Sequence, residues 1–305
     1  MDKKSYRKGR NLGKFLDFVE IFALIAMARI TRDLSVINNV RDGVGHRDEL
    51  DIIAPKNNDK KPLLIYIHGG GFISGIRKMR KYLCADYARA GYLVCNLDYE
   101  LAPTALFPTQ LRQLFKAIEW IIDNKETLNV DLSKVVVAGE SAGGYLSSYV
   151  TAIVKNKALF DTLDIDFKYV DSFDIHAAVH LNGCFSAEKM GELPFPNMPV
   201  FVKSFFDKNI EEIKAMDEAE KALLSPVEQI SSNYPPTVVG RAKLDGLDAE
   251  SIYLLEVLKR NNVPHVEFMA GGLNSPHAWC LATFTKEGKR CLNVTLDYLN
   301  QVLNQ

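Results

Sequence analysis

The segment KVVVAGESAGGYLSSYV, Lys134 to Val150, sets a serine inside the pentapeptide Gly139-Glu140-Ser141-Ala142-Gly143. Such a pentapeptide also arises by chance, for instance as a glycine-rich helix start. Its context here is an apolar strand pattern leading in and a helical pattern leading out. A serine on so sharp a strand-to-helix turn is held in a strained backbone with its hydroxyl projecting. A hydroxyl attacks a carbonyl only when a base takes its proton.

Six histidines compete for that role. His68 ends a strand beside three glycines, and His46 sits in a polar early loop. His176 and His180 flank a strand and read as packing or hydrogen-bonded residues. His265 begins the last apolar strand. His277 stands in GGLNSPHAWC, after that strand and before the last helix. Open parallel sheets gather chemistry at the carboxyl ends of their strands, which selects His277 as the base. An acid must fix the imidazole's tautomer. TVVGRAKLDGLDAES offers Asp245, Asp248 and Glu250. Asp245 comes first in a strand-end loop, whereas Asp248 and Glu250 read as first-turn residues of a helix, where acids are favoured anyway. The order Ser141, Asp245, His277 is that of a nucleophile-elbow hydrolase.

Acyl transfer also needs N–H donors for an oxyanion. Ala142, after the nucleophile, supplies one. LLIYIHGGGFISG, Leu63 to Gly75, runs from a strand into three glycines whose bare backbone lets a substrate approach. A phosphate cradle does not fit, because G-x-G-x-x-G spacing is absent and no G-K-[ST] follows.

These residues need a scaffold. Leu63–His68, Tyr92–Leu97, Val135–Ala138, Ala177–Leu181, Thr237–Val239 and Val266–Met269 read as buried strands. Arg77–Ala90, Thr109–Asp123, Ala142–Val154, Asp248–Asn261 and Thr283–Gln301 read as helices between and after them. The alternation predicts a mostly parallel sheet covered on both faces, with Leu50–Ile53 as an antiparallel strand before it. The 305 residues, 47% of them hydrophobic, can bury a large core. The net charge of -1 leaves no global basic field for nucleic acid. Five scattered cysteines without a CxxC pair read as free cytosolic thiols, so a cytoplasmic location is expected.

Two segments stand apart. Lys3, Lys4, Arg7, Lys8, Arg10 and Lys14 precede an apolar patch interrupted by Asp17 and Glu20, and the run Ile21–Ala28 is too short to span a bilayer. Phe15, Phe18, Val19, Phe22, Ile25 and Ala26 recur at helical spacing. An amphipathic helix packed on the protein is expected, with a targeting or membrane-surface segment as the alternative. Ser186–Leu224 is too long for a bare loop and reads as a helical insertion, or else as a surface excursion. Residues 1–45 and 186–224 are expected to form a lid over a core of residues 46–185 and 225–305.

HGGGF (His68–Phe72), DYELAPTALFP (Asp98–Pro108), GESAGG (Gly139–Gly144), LSPVEQISSNYPPT (Leu224–Thr237), LDGLDAE (Leu244–Glu250) and the late His277 together resemble the hormone-sensitive-lipase-like branch of the α/β-hydrolases. The resemblance runs in order from about Leu64 to Trp279. It implies an α/β-hydrolase fold: an eight-stranded, mostly parallel sheet with helices on both faces and a helical lid. It also implies esterase activity on small acyl esters without cofactor or metal. The family's oxyanion donors correspond to Gly70, Gly71 and Ala142, and His68 would orient the glycine loop. The chain departs from the family pattern at Glu100, Thr104, Gln113, Gly246 and the triplet His277-Ala278-Trp279. These departures question a charged network under the LAP loop and suggest a changed pocket near Trp279.

The leading expectation is a serine carboxylesterase acting on a small-molecule ester, with no nucleic-acid partner and no stable membrane insertion. A homodimer is compatible with this reading. An amide or arylformamide hydrolase would use the same atoms. A non-catalytic small-molecule receptor on this fold would lack the working histidine. Phe15, Phe18, Phe22, Phe201, Phe205 and Trp279 are expected to close an apolar pocket that favours short acyl chains.

Overall fold

The run Leu63–Ile67 is buried at every position. A strand with one wet face would alternate apolar and polar residues, so this one is covered on both sides. Leu63, Ile65 and Ile67 enter one core, and Leu64 and Tyr66 enter another across the sheet.

The computed structural model describes residues 2–24, 31–43, 45–271 and 275–304, with the side chains of residues 15–24 outside that description. Helix α1 (Lys3–Leu24) comes first, then strands β1 (Leu34–Arg41), β2 (Glu49–Pro55) and β3 (Lys61–Ile67). Helix α2 (Lys81–Arg89), β4 (Leu93–Leu97), α3 (Thr109–Asp123), α4 (Lys125–Leu128) and β5 (Val130–Glu140) follow. After them come α5 (Ala142–Lys155), α6 (Ala158–Thr162) and β6 (Ala177–Leu181). The segment 186–224 carries α7 (Met198–Phe206), α8 (Ile210–Lys214) and α9 (Glu218–Leu223). The chain closes with β7 (Thr237–Ala242), α10 (Asp248–Arg260), β8 (His265–Ala270) and α11 (Lys286–Leu303).

The eight strands form one sheet in the order β1-β2-β4-β3-β5-β6-β7-β8. Strand β2 runs antiparallel to both β1 and β4, and every other pairing is parallel. Helices α3 and α5 pack on one face with Phe115, Ile118, Tyr145 and Leu146. On the other, α2 and α11 bury Leu83, Tyr87, Cys291 and Leu299. Helix α10 packs Leu254, Val257 and Leu258 against Ala152 of α5 and Val239 of β7. This is the α/β-hydrolase fold, as expected.

Three details differ from the sequence reading. Strand β1 did not stand out, because its burial is mixed and its register slips between Ile37 and Val40. The helix expected over Arg77–Ala90 divides into a 3-10 turn, Arg77–Arg80, and then α2. Helices α4 and α6 are single short turns that hydrophobic periodicity cannot register. Among the described residues no helix is long and apolar enough to cross a membrane.

Candidate active site

Strand β5 ends at Glu140 and helix α5 begins at Ala142, so Ser141 alone makes the turn. Its φ of 55° and ψ of −123° lie in a region that a side chain rarely adopts. The turn is this sharp because its neighbours are bare: a Cβ on Gly143 would lie 2.1 Å from the Ile67 carbonyl oxygen. Packing thus fixes the serine where strands β3, β5 and β6 end.

The structure brings the three expected residues into one chain of hydrogen bonds. His277 Nε2 lies 2.8 Å from Ser141 Oγ. His277 Nδ1 lies 3.0 and 2.9 Å from the two carboxylate oxygens of Asp245. Asp245 is held from behind: Leu247 N–H donates to Oδ1 at 2.9 Å, and Asn182 Nδ2 donates to Oδ2 at 2.7 Å. A carboxylate fixed in this way holds Nδ1 as the donor and leaves Nε2 free to accept a proton. The other two acids are engaged elsewhere. Asp248 pairs with Arg241 at 2.9 Å. Glu250 is buried and accepts the N–H groups of Phe185 and Ser186 at 2.6 and 2.7 Å. Burial pushes its carboxyl up to about 7, against the pull of those two bonds.

Three other histidines are held within the fold. His180 is fully buried between Ser147 Oγ and Tyr234 Oη, both at 2.9 Å, and burial lowers its pKa to about 3. His176 Nδ1 accepts the Val135 N–H at 3.2 Å. His68 lies under the glycine loop, with Nδ1 2.8 Å from the Gly69 carbonyl and Nε2 3.2 Å from Asp98. Its ring stacks on Tyr99 at 4.4 Å, and the Tyr99 hydroxyl donates to the His68 carbonyl at 2.8 Å. Burial would raise the Asp98 pKa, but His68, Arg47 and Arg77 outweigh it and hold the group well below the usual carboxylate range.

Two glycines in that loop have backbone conformations that residues with a side chain rarely adopt. Gly70 has φ +130°, and Gly71 has φ +60° with the Phe201 ring 2.7 Å from where a Cβ would sit. Among the described residues, no acceptor engages the N–H of Gly70, Gly71 or Ala142.

The sequence reading missed the residue that joins the loop to the elbow. Glu140 is fully buried. Its Oε1 accepts the Gly69 N–H and Arg80 Nε, both at 2.7 Å, and its Oε2 accepts the Tyr66 hydroxyl at 2.6 Å. Burial, with Glu140 beside it, pushes the Tyr66 phenol far up, so it stays a donor. An acid next to a nucleophile in a buried strand was the available signal. Its partners lie 60 to 74 residues away in the chain, beyond reach of local spacing.

The LAP loop is held by hydrogen bonds of two glutamine side chains and the Glu100 carboxylate. Gln113 Oε1 accepts the Glu100 N–H at 2.8 Å, Gln110 Nε2 donates to the Glu100 carbonyl at 3.1 Å, and Glu100 Oε1 accepts the His46 N–H at 2.9 Å.

The expected pocket wall needs correction. Trp279 does not reach the site. Ala278, with φ 59°, reverses the chain after His277, and the indole is buried on the α2 and α11 side against Phe268 at 5.5 Å. Phe205 is core rather than wall, stacked on Phe72 at 3.9 Å. Phe201 does reach the glycine loop. Phe195, in the segment 186–224, sets its ring 4.7 Å from that of His277 at 73°. It can do so because Gly246 has no side chain, so Pro194 and Phe195 approach closely; a Cβ there would lie 2.9 Å from the Pro194 carbonyl. The side chains of Phe15, Phe18 and Phe22 lie outside the described residues.

Comparison with known proteins agrees with this architecture. The chain is 27% identical to an esterase of Gibberella moniliformis over 241 residues, 74% of this chain and 70% of that protein. It is 30% identical to an ethyl acetate hydrolase of Pseudomonas putida over 156 residues, 46% of this chain and 49% of that one. The crystal structure of esterase B from Lactobacillus rhamnosis superposes with a TM-score of 0.86 at 20% identity, covering 99% of this chain and 96% of that one. The model of the BD-FAE family matches residues 50–248, from strand β2 through the elbow to the Asp245 loop, and the chain belongs to that family of α/β-hydrolases.

Proposed function

We propose that this protein hydrolyses carboxylic esters with short acyl chains through an acyl-enzyme on Ser141. The observation that carries the reading is the 2.8 Å contact of His277 Nε2 with the hydroxyl of a serine on a strained elbow. In the first step Ser141 Oγ attacks the ester carbonyl carbon and His277 Nε2 takes its proton. Asp245 stabilises the imidazolium through Nδ1. The carbonyl oxygen becomes an oxyanion and is received by the N–H groups of Gly70, Gly71 and Ala142. Collapse expels the alcohol, which takes the proton from His277. Water then repeats the sequence against the acyl-serine and frees the acid.

Phe195 beside His277 and Phe201 against Gly71 support a narrow apolar site, which favours a short acyl chain. Helix α1 packs on α7, and together with segment 186–224 it acts as the lid. The reading is of a cytoplasmic enzyme.

A chain-length series of p-nitrophenyl esters tests this. Wild type should cleave acetate and butyrate best and palmitate poorly, and Ser141→Ala should lose turnover by several orders of magnitude. A peak of kcat/KM at long acyl chains would contradict the short-chain reading. Near-normal turnover by Ser141→Ala would contradict the mechanism.

A further inference from the structure

Helix α1 has two unlike sides. Its inner side is nearly bare: a Cβ on Gly9 would lie 2.2 Å from Ser204 Oγ of α7, and one on Gly13 2.2 Å from the Ile73 carbonyl oxygen. Gly9 and Gly13 are buried, and Tyr6 and Leu12 half-buried. The helix is therefore seated on α7 and on the turn three residues past Gly70. Its other side carries Lys3, Lys4, Arg7, Lys8, Arg10 and Lys14, all exposed. None of the six has an ion-pair partner among the described residues.

The charge distribution is lopsided. Six of the 37 lysines and arginines lie between residues 3 and 14, where there is no acid, so the other 31 face all 38 acids. A basic patch on one helix of an otherwise acidic chain suits a flat anionic surface that meets that face alone. A long polyanion wrapping the molecule would meet repulsion elsewhere. The same helix continues in sequence with Phe15, Phe18, Val19 and Phe22, and bases followed by aromatics at helical spacing are the composition of a surface-seeking helix.

We propose that the outer face of α1 docks the protein onto an anionic lipid surface. The phosphate and carboxylate headgroups would meet the six bases. The docking itself needs no catalysis.

Co-sedimentation with vesicles tests the proposal. The full chain should bind phosphatidylcholine vesicles holding about one-third phosphatidylserine, and not pure phosphatidylcholine, with binding falling as salt rises. Each base near the surface changes the partition coefficient about fivefold. The triple variant Lys4→Gln, Arg7→Gln, Lys8→Gln should therefore bind about a hundredfold more weakly, with its unfolding temperature unchanged. Lys4→Arg with Lys8→Arg should bind as wild type does. Ser141→Ala should also bind as wild type, which separates docking from the esterase reading. Equal binding to both vesicles, or an unaffected triple variant, would overturn the proposal. So would retention on double-stranded DNA as strong as on the anionic vesicles, which would assign the face to nucleic acid.

Discussion

The carboxylate of Glu140 accepts the N–H of Gly69 at 2.7 Å, so the residue before the nucleophile holds the first residue of the glycine loop. One buried charge therefore sets the distance between the two halves of the acyl-transfer site. Arg80 and Tyr66 fix that charge from its other sides.

Replacing Glu140 with glutamine keeps an acceptor for the Gly69 N–H and the size of the side chain, but removes the charge facing Arg80. Small displacements in such a site are costly. Glu140→Gln should reduce kcat about tenfold to a hundredfold with little change in KM. Glu140→Ala should in addition destabilise the fold by about 3–5 kcal/mol, because it breaks the buried ion pair with Arg80. Steady-state kinetics with thermal unfolding of both variants checks this; a rise in KM alone would contradict it.

Asp245 and Asp248 are three residues apart and should behave differently. Asp245→Asn disturbs the hydrogen bond to His277 Nδ1 and should reduce turnover by roughly 10⁴, by comparison with the serine-protease acid. Asp248→Asn breaks only a partly exposed pair with Arg241, worth about 1 kcal/mol or less, and should leave most activity. The two rate constants, measured side by side, decide the assignment.

Phe195 touches the His277 ring from the insertion. Phe195→Ala should widen the site and move the preferred p-nitrophenyl ester towards longer chains. Thermal stability should fall modestly, since Phe195 is partly exposed and packs at the edge of the core. An unchanged chain-length profile would show that the insertion does not bound the acyl site.

Glu250 predicts a pH effect on stability. Its carboxyl is raised from 4.5 to about 7 in the fold, so the folded chain binds this proton more tightly than the unfolded chain does. Stability from this group is therefore full below about 4.5 and is lost as pH rises through about 7, by about 3 kcal/mol in all. Glu250→Gln keeps an acceptor for the Phe185 and Ser186 N–H groups and cannot ionise. The variant should unfold at a temperature less dependent on pH between 4.5 and 7 than wild type; identical slopes would contradict the account.

Much of this was legible in the sequence for a physical reason. Strands buried on both faces leave unbroken apolar runs, and Ser141 lies where the run of β5 ends and Asp245 just past β7, whereas His277 follows the edge strand β8, whose burial is mixed. Strand β1 was not legible, because Ser35, Asn38 and Asn39 are exposed on an edge strand and break the pattern. Trp279 was misjudged because spacing says how near a residue is to His277 in the chain, not to which side Ala278 turns it. Glu140 was quoted within its motif and passed over, since its function depends on partners contributed by strand β3 and by the turn before α2.

The most direct test is covalent labelling with a fluorophosphonate, read by intact mass and by mapping the modified peptide. The account predicts one adduct per chain, on the peptide holding Ser141, absent in Ser141→Ala and greatly slowed in His277→Ala. An adduct on another residue, or labelling of Ser141→Ala at the wild-type rate, would contradict it.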